Sequence, residues 1–188
     1  MQKPLLRLLR ALTPLVMAGL VGCSSGKGEA DSPDPSLPLY SPEEARLFDD
    51  VVAPAAFGFD PEARNPAQDP KLKERTRRAE FVVVARVETV SRVGGVAHRG
   101  AYEVTLRPVG VPLVGEPLEG PIDLVIPSTT PSYAWVEGAG TQWVGSQMVV
   151  FGRHFREGNR TTLHFRGERD SLELRTMIQR DAALRLLK

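Results

Sequence analysis

Three histidines, one cysteine and two tryptophans are the scarce, chemically capable residues of this 188-residue chain. A metal centre would need at least three N, O or S donors converging on one point. His98 falls in a loop-like stretch, whereas His154 and His164 sit in "QMVVFGRHF" and "RTTLHFRG", two apolar-rich runs that flank "EGN". Read as a hairpin with a three-residue loop, these runs turn Val149, Phe151 and Phe155 inward together with Leu163 and Phe165. The two histidines then share the outer face two positions out of register, about 7–8 Å apart by Cα, with no third ligand in view. No metal is expected.

Nucleophilic chemistry has as little to stand on. Neither Ser128 nor Ser146 lies in a G-x-S-x-G turn. "GAGTQWVG", 138–145, lacks the G-x-G-x-x-G spacing of a nucleotide cradle and precedes a strand instead of following one. Carboxylates are plentiful, but no pair of them can be set across a cleft. The chain is therefore expected to have no catalytic residues and no cofactor. What remains is "PSTTPSYAWVEGAGTQWVGS", 127–146, which holds Tyr133, Trp135 and Trp143 in a connection punctuated by proline and glycine. Exposed rings among polar residues suit recognition of a protein or a glycan. The alternative is a loop that folds back to close one end of the domain, its rings inside.

The elements that must position these residues are mostly strands. "EFVVVARVETV" alternates Phe81, Val83, Ala85 and Val87 on one face, and Gly94-Gly95 offers the turn to "AYEVTLRPV", with Tyr102, Val104 and Leu106 inward. "IDLVI" repeats the pattern with Ile122, Leu124 and Ile126, and the His154–His164 hairpin follows. "SPEEARLFDDVV" reads as a helix from Ser41, with serine at its cap and Pro42 in its first turn. "DSLELRTMIQRDAALRLL" reads as a second, with Asp170 at its cap and Glu173 in the reciprocal position. The basic run "KLKERTRR", 71–78, reads as a solvated helix or turn leading into the first strand, or else as a patch for anionic lipid or polysaccharide. The expected fold is mainly β: a small curled antiparallel five-stranded sheet or OB-like barrel with an N-terminal and a C-terminal helix. Val83, Tyr102, Val104, Leu124, Phe151 and Phe165 should share one interior. The strand order also resembles, faintly, the OB domains of the netrin and tissue-inhibitor type. Those domains carry paired cysteines absent here, so no inhibitory role is carried over.

Cys23 stands behind Lys3, Arg7 and Arg10 and an uncharged, mostly apolar run from Ala11 to Gly22. That is the layout of a signal peptide, too short to span a bilayer as a helix. Leu20-Val21-Gly22-Cys23 resembles the lipobox of bacterial lipoproteins. The resemblance implies cleavage after residue 22, a diacylglyceryl thioether on Cys23 and an N-acyl chain on its new amine, a palmitate-type anchor. Ser24, in place of an aspartate, implies sorting to the outer membrane. Residues 23–40 then read as the lipidated cysteine and a flexible tether reaching on the order of 20 Å. Residues 41–188 follow as one globular domain.

Removal of Lys3, Arg7 and Arg10 takes Lys plus Arg from 24 to 21 against 23 Asp plus Glu, a net charge of −2. Nucleic-acid binding depends on an electrostatic surplus and is not expected. The expectation is a lipid-anchored, non-catalytic scaffold that meets the membrane through its lipid and an envelope protein through its domain. Machines for secretion, assembly or gliding motility are the candidate settings. The alternative is a surface domain that binds or hydrolyses carbohydrate.

Overall fold

The computed structural model describes residues 34–59, 65–93 and 100–187. Cys23, its signal segment and the Gly94-Gly95 turn lie outside the described residues. The fold is mixed α/β, one open six-stranded sheet with three helices. The strands are β1 (Val51–Val52), β2 (Phe81–Val93), β3 (Ala101–Pro108), β4 (Ile122–Ile126), β5 (Gln147–Glu157) and β6 (Arg160–Arg169), in the order β1-β6-β5-β2-β3-β4. The helices are α1 (Leu72–Arg78), α2 (Ser132–Ala139) and α3 (Leu172–Leu186). All pairings are antiparallel except β1 with β6.

The expected OB-like barrel does not form, because β1 and β4 end the sheet without meeting. The sixth strand, β1, comes from what reads in sequence as the tail of an N-terminal helix. That helix is reduced to one 3-10 turn at Glu44–Arg46, where Ser41 Oγ accepts from the Glu44 N–H at 3.3 Å. Asp50 then takes a left-handed φ of +55° and turns the chain into β1. The outward edge of β1 is closed by one side chain. Ser132 Oγ accepts from the Val52 N–H at 2.7 Å and donates to the Val52 carbonyl at 3.3 Å. A sheet edge sealed this way offers no template for further pairing.

Continuous apolar runs, "FVVVA" in β2 and "MVVF" in β5, cross the middle of the sheet, and both faces there are covered. On one face Phe81, Val83, Ala85, Val104, Leu124 and Phe165 pack with Val136 of α2 and with Trp143. On the other Val82, Val84, Val149, Phe151 and Phe155 pack under Phe48, Leu72 of α1, and Leu174 and Ile178 of α3. A bulge at Glu88 shifts the β2–β3 register and returns Val90 to the first face.

The β5–β6 hairpin corrects the expected parity. Its loop is two residues, not three: Glu157 pairs with Arg160, and Gly158 at φ +58° leads the turn, as in a type II′ hairpin. A slip of one residue sends each side chain of one strand to the opposite face. Phe151 therefore faces α1 and α3, while Leu163 and Phe165 face α2. Of the six expected core residues, the other five do share one side, Tyr102 being only partly buried there. In α3 the cap is Ser171, which accepts from the Leu174 N–H at 3.2 Å. Asp170 instead pairs with Arg175, and Glu173 accepts from Asn65 Nδ2.

Candidate functional site

The segment 127–146 is not a loop. Its centre is α2, closed at the C-terminus by Gly140 at φ +51° and followed by a 3-10 turn at Gly140–Trp143. This gives its three rings different fates. Trp143 is 2% exposed, lies 4.1 Å by centroid from Phe57, and donates from Nε1 to the Ala56 carbonyl at 3.3 Å. It belongs to the core. Tyr133 is partly buried 5.0 Å from Tyr102, and its hydroxyl accepts from Arg92 at 3.1 Å. Trp135 is 39% exposed and lies 5.7 Å from Phe59, itself 37% exposed. Phe59 in turn lies 6.3 Å from Phe57, so the exposed pair continues inward to Trp143 through packed rings. The sequence offers no signal for Phe59 beyond an aromatic between Gly58 and Asp60.

The histidines are separated by the same hairpin correction: they point to opposite faces. His154 Nδ1 lies 3.0 Å from both carboxylate oxygens of Glu80, and its backbone N–H donates to Glu80 as well. Glu80 thereby closes the edge of β5 where β2 has not yet begun. The hydrogen bond to Glu80, against a smaller opposing cost of burial, raises the His154 pKa. His164 lies flat on Tyr40, 3.5 Å between centroids, with Nδ1 2.8 Å from Asp50 and Nε2 3.5 Å from Glu157. Burial opposes its charge, but Asp50 and Glu157 outweigh burial and raise its pKa. Asp50, the residue with left-handed φ, also accepts from the Phe165 N–H. Both rings bond to carboxylates, which favours the charged form of each. Among the described residues no group of three or more His, Cys, Asp or Glu side chains could hold a metal.

Neither of two clefts formed by described residues is lined by Tyr133, Trp135 or Trp143. One, about 480 Å³, lies over a charged network beside α1. Arg75, 2% exposed, donates to the Leu47 carbonyl and to Asp69; Arg166 donates to Glu168 at 2.7 Å and to Asp49 at 3.0 Å. Burial pushes the Asp49 carboxyl up against the pull of Arg166 and Arg75. The network holds three carboxylates and, with Lys71, three cations, so its charges cancel internally. The other cleft, about 500 Å³, has an apolar floor of Phe81, Leu118 and Leu163, with His154, Asp123 and Glu119 at its rim. No protein family, curated protein or solved structure matches this chain.

Proposed function

We propose that this chain is a bacterial lipoprotein, held at the outer membrane by acyl chains on Cys23, whose domain docks a protein partner of the envelope and performs no catalysis. The docking reading is carried by one observation: the Trp135–Phe59 pair, exposed at its surface and braced from beneath by Phe57 and Trp143. Rings held in place by packing lose little freedom when a partner covers them, which is why tryptophan recurs among binding hot spots. His154 and His164 support the same reading, since each is bound to a carboxylate that closes the fold.

The test is Trp135→Ala beside Cys23→Ala. Cys23→Ala should move the protein from the membrane to the soluble fraction. Trp135→Ala should leave thermal unfolding within about 0.5 kcal/mol of the parent. It should also weaken recovery of a crosslinked envelope partner by about 2 kcal/mol or more. Undiminished recovery would remove the docking role from this pair.

The cleft rimmed by His154, Asp123 and Glu119 favours a second reading, a surface domain that binds or hydrolyses carbohydrate. Its discriminating variant is Asp123→Asn, which should abolish glycan retention in that case and leave partner recovery unchanged in the first.

A further inference from the structure

The basic run 71–78 divides its charges by the faces of α1. Arg75 points inward to the buried network, and Arg78 is tied to Glu43, Glu44 and Glu74. Lys73 and Arg77, one turn apart on the outer face, are exposed and have no carboxylate partner among the described residues. α3 packs beside α1 and adds Arg180, also exposed and unpartnered. It adds Arg185 as well, whose pKa is lowered by burial and by the charge of Arg77, with Asp181 opposing. The two helices thus carry Lys73, Arg77, Arg180 and Arg185, with Asp181 beside Arg185 and with Glu43, Glu44 and Glu74 taken up by Arg78. On the same outer stripe of α3, one and two turns beyond Arg180, Leu184 is 52% and Leu187 82% exposed. Unpaired cations beside exposed leucines are side chains that a bilayer with anionic headgroups would attract to its surface.

The position of this patch matches the path of the chain. Residues 39–48 run across the face that α1 and α3 cover, where Tyr40, Leu47 and Phe48 share an apolar cluster with Leu72, Leu174 and Ile178. The ion pairs of Arg78 with Glu43 and Glu44 fix this arm against α1. The chain that comes from the proposed anchor therefore reaches the domain beside the cationic patch.

We infer that the outer face of α1 and the C-terminal half of α3 form a second membrane contact, specific for a bilayer with anionic headgroups. The contact orients the domain and places Trp135, on the helix that covers the opposite face of the sheet, away from the lipid. The acyl chains proposed on Cys23 already supply durable attachment, so the basic surface adds orientation and not retention. The inference rests on the lipoprotein reading only for its setting; the surface itself can be tested without the lipid.

Cys23→Ala protein freed of the signal segment, residues 1–22, is mixed with vesicles of phosphatidylcholine alone or rich in phosphatidylglycerol, and bound protein is measured by sedimentation. Binding should favour the anionic vesicles and fall as salt is raised. Replacing Lys73, Arg77 and Arg180 together by glutamine should weaken that binding on the order of a hundredfold, with the melting temperature unchanged. Leu184→Ser with Leu187→Ser should lower it further at high salt. Equal binding to both vesicles, indifference to the triple replacement, or capture by a soluble acidic polysaccharide in preference to vesicles would each overturn the inference. Acyl labelling of the parent protein in cells reports separately on Cys23. Labelled protein whose Cys23→Ala form ignores anionic vesicles would end the surface proposal and leave the anchor standing. Vesicle binding without labelling would do the reverse.

Discussion

The two faces of the sheet are closed by different physics. Under α1 and α3 an apolar cluster is flanked by buried ions: Glu44, Arg75, His164 and Glu168 are all buried there, each within reach of an opposite charge. Under α2 the seal is aromatic and aliphatic, and among the described residues the only buried polar side chain it uses is Ser132. A face that buries charges beside its apolar cluster is sensitive to pH and to removal of a single partner. A face held by rings is sensitive to volume and indifferent to pH. The exposed Trp135–Phe59 pair extends the second face, and the cationic patch extends the first.

The largest effects should come from one deletion on each face. Trp143→Ala should cost about 3–5 kcal/mol, the usual range for a buried ring replaced by a methyl group. Arg75→Met should cost a similar ~3–5 kcal/mol, because it leaves Asp69, Glu168 and the Leu47 carbonyl facing a neutral side chain. Acid separates them. Burial pushes the Asp69 carboxyl up, but the Lys71 N–H and Arg75 outweigh it and hold its pKa below the ordinary value. Its contribution is present above that ordinary value and is lost as pH falls through the folded one. The deficit of Arg75→Met should therefore shrink in acid, while that of Trp143→Ala stays constant. Denaturant titrations of both variants across pH measure this, and parallel deficits would break the distinction between the faces.

A smaller loss is expected from Ser132→Ala, about 1–3 kcal/mol, since the Val52 N–H and carbonyl would be buried without partners. Because the lost group is an uncharged hydroxyl, this deficit should not vary with pH.

The smallest effect concerns His164, which Asp50, Glu157 and Tyr40 face directly and to which Arg153 is opposed across the β5–β6 pairing. Its folded pKa is raised, so its contribution is complete below the ordinary histidine value of about 6.5 and is lost as pH rises through the folded value. His154, raised by Glu80, carries the same sign but is more exposed. His164→Gln should flatten the decline of stability from about pH 6 to about pH 8 more than His154→Gln does. The reverse order would mean that Glu80, not Asp50, holds the stronger ionic contact.

Strand identity was legible wherever apolar residues alternate. Tyr102, Val104 and Leu106, and Ile122, Leu124 and Ile126, lie on the side their period indicates. α3 was legible from its length, but its cap is Ser171 and not the expected Asp170. The parity of β5 against β6 was not, because "REGNR" admits a turn of two residues or of three, and the choice reverses a whole strand. The short β1 was hidden because "LFDDVV" continues a helical pattern, and only Asp50 in a left-handed conformation reveals the break. α2 was masked by its flanking Pro131 and Gly140, which read as loop punctuation and act here as helix boundaries. The candidate site was legible in part. Tryptophan content drew attention to the right segment, but burial of Trp143 and pairing of Trp135 with Phe59 depend on contacts about 80 residues apart in sequence.

Beyond Gly152, where β2 has not yet begun, the edge of β5 is taken up by the incoming chain: Leu39 bridges Arg156, and the Arg156 N–H donates to the Pro38 carbonyl at 2.9 Å. A tensile load applied through the N-terminal arm enters the fold at this one rung. The next restraints along the arm are the Tyr40 hydroxyl on the Phe48 carbonyl and the ring of Tyr40 on His164. The central rungs between β2 and β5 lie beyond them. Under drag, the arm would peel back from the hairpin tip one contact at a time, lengthening the leash while the sheet stays intact. On the proposed lipid-anchor reading, this junction would open before the sheet does.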